Sequence, residues 1–191
     1  MREVSIKVLK YDELSDRAKE NARQNYAASE GYLHGDEALE SIKKLAEHFG
    51  GKVTNYEIDW SGACSPSSMK FDMPDYENGF DATDYENGEA EIERRLGLLG
   101  EYNPETLKGH GECVLTGVCY DEDAIDGFRK AWHEGERDID KLMEAAFRSL
   151  LEQCESEYNC FYDDEDGEFG EHCDANEYEF YESGKFYPRG K

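Results

Sequence analysis

The run Asp36-Glu-Ala-Leu-Glu-Ser-Ile-Lys-Lys-Leu-Ala-Glu-His-Phe-Gly-Gly-Lys-Val-Thr-Asn-Tyr-Glu-Ile-Asp-Trp60 changes its hydrophobic period part-way. Up to Phe49 the apolar positions are Ala38, Leu39, Ile42, Leu45, Ala46 and Phe49. They lie three or four residues apart, so they form one stripe on an α-helix. Gly50 and Gly51 follow as a helix stop, because glycine alone enters the left-handed conformation at little cost. Beyond them Thr54, Tyr56, Ile58 and Trp60 alternate with polar residues, the period of a half-buried strand. After the breakers Ser61-Gly62 and Ser65-Pro66, Met69, Phe71 and Met73 alternate in the same way. Two such runs predict an antiparallel pair.

Working outward, Val4, Ile6 and Val8 predict a first strand, and Ser15 caps a helix whose Ala18, Ala22 and Tyr26 share a face. A helix is expected around Glu89–Leu98 and another over Asp121–Trp132. The longest starts at Asp138 and keeps Leu142, Met143, Ala146, Phe147, Leu150, Leu151, Cys154 and Tyr158 on one side. Tyr178 and Phe180, then Phe186 and Tyr187, flank Glu182-Ser183-Gly184 as a terminal hairpin. Asp75-Tyr-Glu-Asn-Gly79 recurs as Asp84-Tyr-Glu-Asn-Gly88, two turn signals too few for a solenoid. Strands and helices without regular βαβ alternation indicate an α+β fold, an antiparallel sheet packed with several helices. No linker composition divides the chain, so residues 1–191 are expected to form a single domain, with an acidic lobe over 121–191 as the one subdivision considered.

The net charge is −25 over 191 residues, from 46 acidic and 21 basic side chains. Its distribution is uneven. Residues 1–50 are almost balanced, whereas Glu152–Glu182 hold 13 carboxylates and no Lys or Arg. Such a field repels nucleic acid and anionic membranes and attracts cations and basic protein surfaces. The 13 Tyr and 9 Phe argue against global disorder. No basic flank leads into an apolar run, and no run of about 18 apolar residues occurs, so neither a signal peptide nor a membrane span is expected. The 6 Cys are then expected as thiols in a reducing compartment.

Motifs with a mechanism are scarce. Asp163-Asp-Glu-Asp-Gly167 resembles a calcium loop, but Gly167 at the sixth position would put Tyr162 at the first, where a carboxylate is required. His110, Cys113 and Cys119, with Cys154, Cys160, His172 and Cys173, lack the paired two-to-four-residue spacing of zinc ligands. There is no Gly-x-Ser-x-Gly elbow and no phosphate-binding glycine loop. No enzyme activity, metal or cofactor is expected.

Three segments carry a resemblance: Tyr11-Asp-Glu-Leu-Ser15 with Ala18-Lys19, Leu115-Thr-Gly-Val-Cys-Tyr-Asp-Glu-Asp-Ala124, and Asn176-Glu-Tyr-Glu-Phe180 before Gly184. Together they resemble a family of small acidic proteins encoded by phages and prophages. The repeated Asp-Tyr-Glu-Asn-Gly segment is not part of that pattern. The resemblance implies a phage origin and the bacterial host cytoplasm, and it transfers no functional residue. Joined to the charge run, it leads to an expected inhibitor of a host defence protein, of the anti-restriction or anti-CRISPR type. Such a protein would mimic nucleic acid in a basic groove and bind no nucleic acid itself. Its expected contact residues are Glu155, Glu157, Asp163, Asp164, Asp166, Glu168 and Glu171, with Phe161 and Tyr162 as aromatic anchors. The alternatives are an accessory phage protein, an antitoxin-like binding module and a cation-binding acidic protein.

Overall fold

The computed structural model describes residues 6–30, 34–59, 67–74, 88–100, 102–103, 108–109, 113–163 and 167–188. The order of elements is β1 (Val8–Leu9), α1 (Asp16–Glu30), α2 (Gly35–His48), β2 (Lys52–Glu57), β3 (Ser68–Asp72), α3 (Gly88–Leu98), β4 (Tyr102–Asn103), β5 (Lys108–Gly109), α4 (Tyr120–His133), α5 (Ile139–Asp163), α6 (Glu168–Ala175) and β6 (Phe180–Tyr181). The strands form three two-stranded antiparallel ladders, β1–β6, β2–β3 and β4–β5. The fold is α+β, and helices dominate it.

Where a single domain is expected, the chain divides into two compact units. Unit 1 is Met1–Leu33 with Ser156–Lys191, and unit 2 is His34–Glu155. The boundary falls inside α5 and not at residue 121, because the two ends of the chain fold together. That pairing is visible in β1–β6, where Val8 faces Tyr181 and Leu9 faces Phe180. Long-range strand pairing of this kind leaves no local signal in composition.

Unit 2 contains the stretch that opens the sequence. Ala38, Ile42, Leu45, Ala46 and Phe49 are fully buried. At the end of α2, Gly50 has φ +80°, and the Gly50 and Gly51 amides donate to Glu47 and Ala46 carbonyls at 2.9 Å each. The glycine pair therefore closes the helix by a left-handed cap. The Phe49 ring stacks on Phe128 of α4 at 4.3 Å between centroids. Strands β2 and β3 pair as expected, with Val53 opposite Phe71 and Tyr56 opposite Met69. Burial along β2 differs from the expected alternation: Thr54 and Tyr56 are exposed, while Val53, Met69 and Phe71 are half-buried. The register shifts between Val53 and Asn55, and one extra residue there puts Val53 and Tyr56 on one face of the ladder, opposite Phe71 and Met69, so that Thr54 no longer shares a face with Tyr56. The repeat at Asp75–Gly79 and Asp84–Gly88 lies outside the described residues, except Gly88, which begins α3.

Asp121 is the buried polar centre of unit 2. Its Oδ2 accepts the amides of Leu115 at 2.8 Å, Thr116 at 2.7 Å and Gly117 at 3.3 Å. Its Oδ1 accepts the hydroxyls of Thr116 and Ser41, both at 2.7 Å. One carboxylate thus organises the Leu115–Gly117 turn and ties it to α2. Burial pushes the Asp121 carboxyl up, but the donors from Thr116, Ser41 and Leu115 outweigh it and hold it below its ordinary range. On α3, Arg94 and Arg95 grip Glu91 at 2.7 Å each and pull its carboxyl down to about 2. The buried Arg129 donates to the Leu96 and Gly100 carbonyls at the end of α3.

Unit 1 is closed by rings. Tyr11, Leu14, Ala18, Ala22, Tyr162, Phe169, Cys173 and Phe180 are buried together, with Leu9, Tyr26, Ala27, Tyr158, Phe161 and Tyr178 packed against them. Tyr11 meets Phe169 edge-on at 5.2 Å and Phe180 at 6.1 Å. Its hydroxyl accepts from Arg23 Nη1 at 2.9 Å, which satisfies the polar tip of a buried ring. Ser15 accepts the Ala18 amide at 3.4 Å, as its capping role requires. The terminal hairpin closes as expected, with the Gly184 amide donating to Tyr181 and the Tyr181 amide donating to Lys185. Gly184 has φ +82°, and a Cβ there would overlap the Ala18 carbonyl, so only glycine lets the hairpin lie on α1.

Candidate partner-binding surface

Helix α6 was not expected from the sequence, and it orders the acidic segment. Eight residues carry too weak a periodicity to stand out among carboxylates, yet Phe169 and Cys173, four apart, are both buried. Glu168, Glu171 and Asp174 recur every third residue and fall on the opposite side, where all three are exposed. The end of α5 packs on this helix through Phe161 and Phe169 at 5.5 Å and Tyr162 and Phe169 at 6.1 Å.

The expected contact residues separate as follows. Asp163, Glu168 and Glu171 are exposed in unit 1. Glu157 is half-buried in unit 1, and Glu155 is half-buried and belongs to unit 2. Asp164 and Asp166 lie outside the described residues. Phe161 is half-buried, with its ring against Tyr162, Phe169 and His172. Tyr162 corrects the expectation of a surface anchor: it is only 9% exposed and sits in the aromatic core. Burial pushes its hydroxyl well above the ordinary tyrosine range, with neighbouring Tyr158 and Glu30 adding to it. The physical reason is position: Tyr158 and Tyr162 are one helical turn apart, so Tyr162 extends the apolar side of α5. Asp174 joins the exposed acidic side of α6, and its three-residue spacing from Glu171, like that of Glu171 from Glu168, is the signal in the sequence.

No protein-family model, curated protein or solved structure matches the chain.

Beside the acidic helix lies a polar network. The Tyr26 hydroxyl and His172 Nε2 are 2.9 Å apart, and the Tyr178 hydroxyl also bonds Tyr26. Burial holds His172 below the ordinary histidine range and Tyr26 above the tyrosine range. Between α1 and the hairpin there is a cavity of about 310 Å³ with Tyr26, Tyr178 and Phe186 among its walls. Among the described residues, no three His, Cys, Asp or Glu side chains are placed to hold a metal ion. Cys154 and Cys173 are buried, and burial together with Cys119 raises the Cys113 thiol above its ordinary value. No helix among the described residues is long and apolar enough to cross a membrane.

Proposed function

We propose that this chain is a non-catalytic inhibitor, phage- or prophage-encoded, that binds the basic nucleic-acid groove of a bacterial host defence protein. The observation that carries the reading is the acidic side of α6. Glu168, Glu171 and Asp174 stand on one side of a helix whose other side is locked into an aromatic core. Three helical residues rise about 4.5 Å, against about 3.4 Å per phosphate along one DNA strand, so the carboxylates approach the charge spacing of the ligand they would replace. A folded helix presents that array without the ordering cost of a disordered acidic tail. Asp163 supports the same reading. It sits in the last turn of α5, where the helix dipole disfavours an anion and no basic residue compensates. A carboxylate kept at a position that costs stability points to use outside the fold. The resemblance noted above supports the phage origin and the bacterial cytoplasm.

The test is a tagged pull-down from bacterial lysate, eluted on a salt gradient and read by mass spectrometry. The expected result is a DNA- or RNA-binding defence protein released by salt or by competing nucleic acid. The triple variant Asp163→Lys, Glu168→Lys, Glu171→Lys should lose it, most strongly at low salt. Recovery of nothing, or a captured partner that the triple variant retains fully, would overturn the reading.

A further inference from the structure

We propose that the cavity between α1 and the C-terminal hairpin of unit 1 is a receptor for one arginine side chain of a protein partner, stacked on Tyr26, Tyr178 and Phe186 and paired with Glu30. The inference rests on the proposed function only for the source of that arginine.

Three features converge on a guanidinium. The first is the wall. Tyr26 and Tyr178 lie 6.0 Å apart between centroids, and Tyr178 and Phe186 lie 4.6 Å apart at 70°. Phe186 is 39% exposed, so part of its ring is open to a ligand. Ring faces attract a planar cation through their quadrupole, and arginine stacks on them better than lysine does. The second is the rim. Asn25, Ser29 and Glu30 are exposed at the mouth, and Glu30 has no ion-pair partner among the described residues. A carboxylate and an amide oxygen suit the forked donors of a guanidinium. The third is the helix end. Glu30 is the last residue of α1, where the backbone carbonyls carry the negative end of the helix dipole, and the last turn has no basic residue. A cation is stabilised there, and among the described residues none is paired with Glu30.

The size agrees. About 310 Å³ is at the lower end for ligand pockets, suited to a single side chain and not to a cofactor. The floor is made by the small residues Ala22 and Gly184, both buried, which is what leaves the space open.

The experiment titrates the full chain with N-acetyl-L-arginine amide while NMR follows the ring signals of Tyr26, Tyr178 and Phe186. N-acetyl-L-citrulline amide, of the same shape without the charge, serves as control. The arginine probe should saturate, and citrulline should bind at least about tenfold more weakly. Glu30→Gln should weaken the arginine probe about tenfold without lowering the melting temperature, since the substitution removes an anion from a helix C-terminus. Ser29→Arg, an exposed position at the mouth, should fill the site from within, abolish probe binding and raise the melting temperature. Equal binding of the two probes, no saturation at about 10 mM, or equally tight binding of N-acetyl-L-lysine amide would overturn the proposal. A partner captured from lysate whose affinity Glu30→Gln leaves unchanged would also overturn it, while leaving the acidic-face reading intact. A saturable arginine probe with no partner in the lysate would leave the receptor standing and remove only the proposed inhibitor.

Discussion

The two units solve the problem of burial differently. In unit 2 the buried side chains are mostly aliphatic, such as Leu39, Ile42, Leu45, Ile92, Ile125, Leu142, Met143 and Leu150. They come from amphipathic helices with strong local periodicity. In unit 1 the interior is aromatic, and it is assembled from the two ends of the chain. Rings let few residues bury much area, but each tyrosine brings a hydroxyl that needs a partner. Tyr11 uses Arg23, and Tyr26 uses His172 and Tyr178. The comparison teaches that unit 1 is held by rings packed around one titratable histidine, His172, and unit 2 by apolar packing around one ionised carboxylate, Asp121.

The largest expected effect breaks unit 1 alone. Phe169 is fully buried against Tyr11, Tyr26, Phe161 and Tyr162. Phe169→Ala should cost about 3–5 kcal/mol and strip hydrogen-exchange protection from α1 and α6, while α2 and α4 keep theirs. Loss of protection everywhere would mean the units are not separate in stability. Next in size, Asp121→Asn should cost unit 2 about 2–3 kcal/mol, because the amide cannot accept from all its present donors. Denaturant unfolding followed by Trp132 fluorescence would measure it, and a cost near zero would remove Asp121 from its organising role.

Acid should then sharpen the contrast. Because burial lowers His172, the stability it contributes is present above its ordinary value of about 6.5 and is lost as pH falls from there towards its lowered folded value. Asp121 is also lowered, so its contribution persists until pH falls below about 4 and through its own folded value. Unit 1 should therefore loosen first on acidification, as read by hydrogen exchange at pH 7, 5.5 and 4. His172→Phe should abolish the upper step, and simultaneous loosening of both units would break the comparison. The smallest effect concerns Asp163. Asp163→Lys should stabilise unit 1 by about 0.3–1 kcal/mol in a thermal melt at low salt, since a cation suits a helix C-terminus. Destabilisation would show that Asp163 serves the fold.

Much of unit 2 was legible locally. The stripe Ala38–Phe49, its Gly50 stop and the pairing of β2 with β3 needed only period and turn chemistry. The burial along β2 was not legible, because a one-residue bulge interrupts alternation without changing composition. Of the acidic site, the charge run was legible but its geometry was not. The sequence read Tyr162 as a surface anchor, yet its place on the apolar side of α5 buries it. Helix α6 passed unnoticed because its two buried residues are too few to set a period.

By itself the sequence determined the α+β class, the helices long enough to repeat an apolar stripe, and the sign of the field. These depend on neighbours within a few residues, where side-chain spacing and backbone preference act directly. Only the tertiary structure decided that the chain divides at Glu155 and Ser156, that rings from both ends share one core, and that Tyr26, Glu30, Tyr178 and Phe186 border one cavity. Those juxtapositions join residues up to about 160 positions apart. Closing so long a loop costs entropy that only the combined burial of the rings offsets, and no local pattern records that balance.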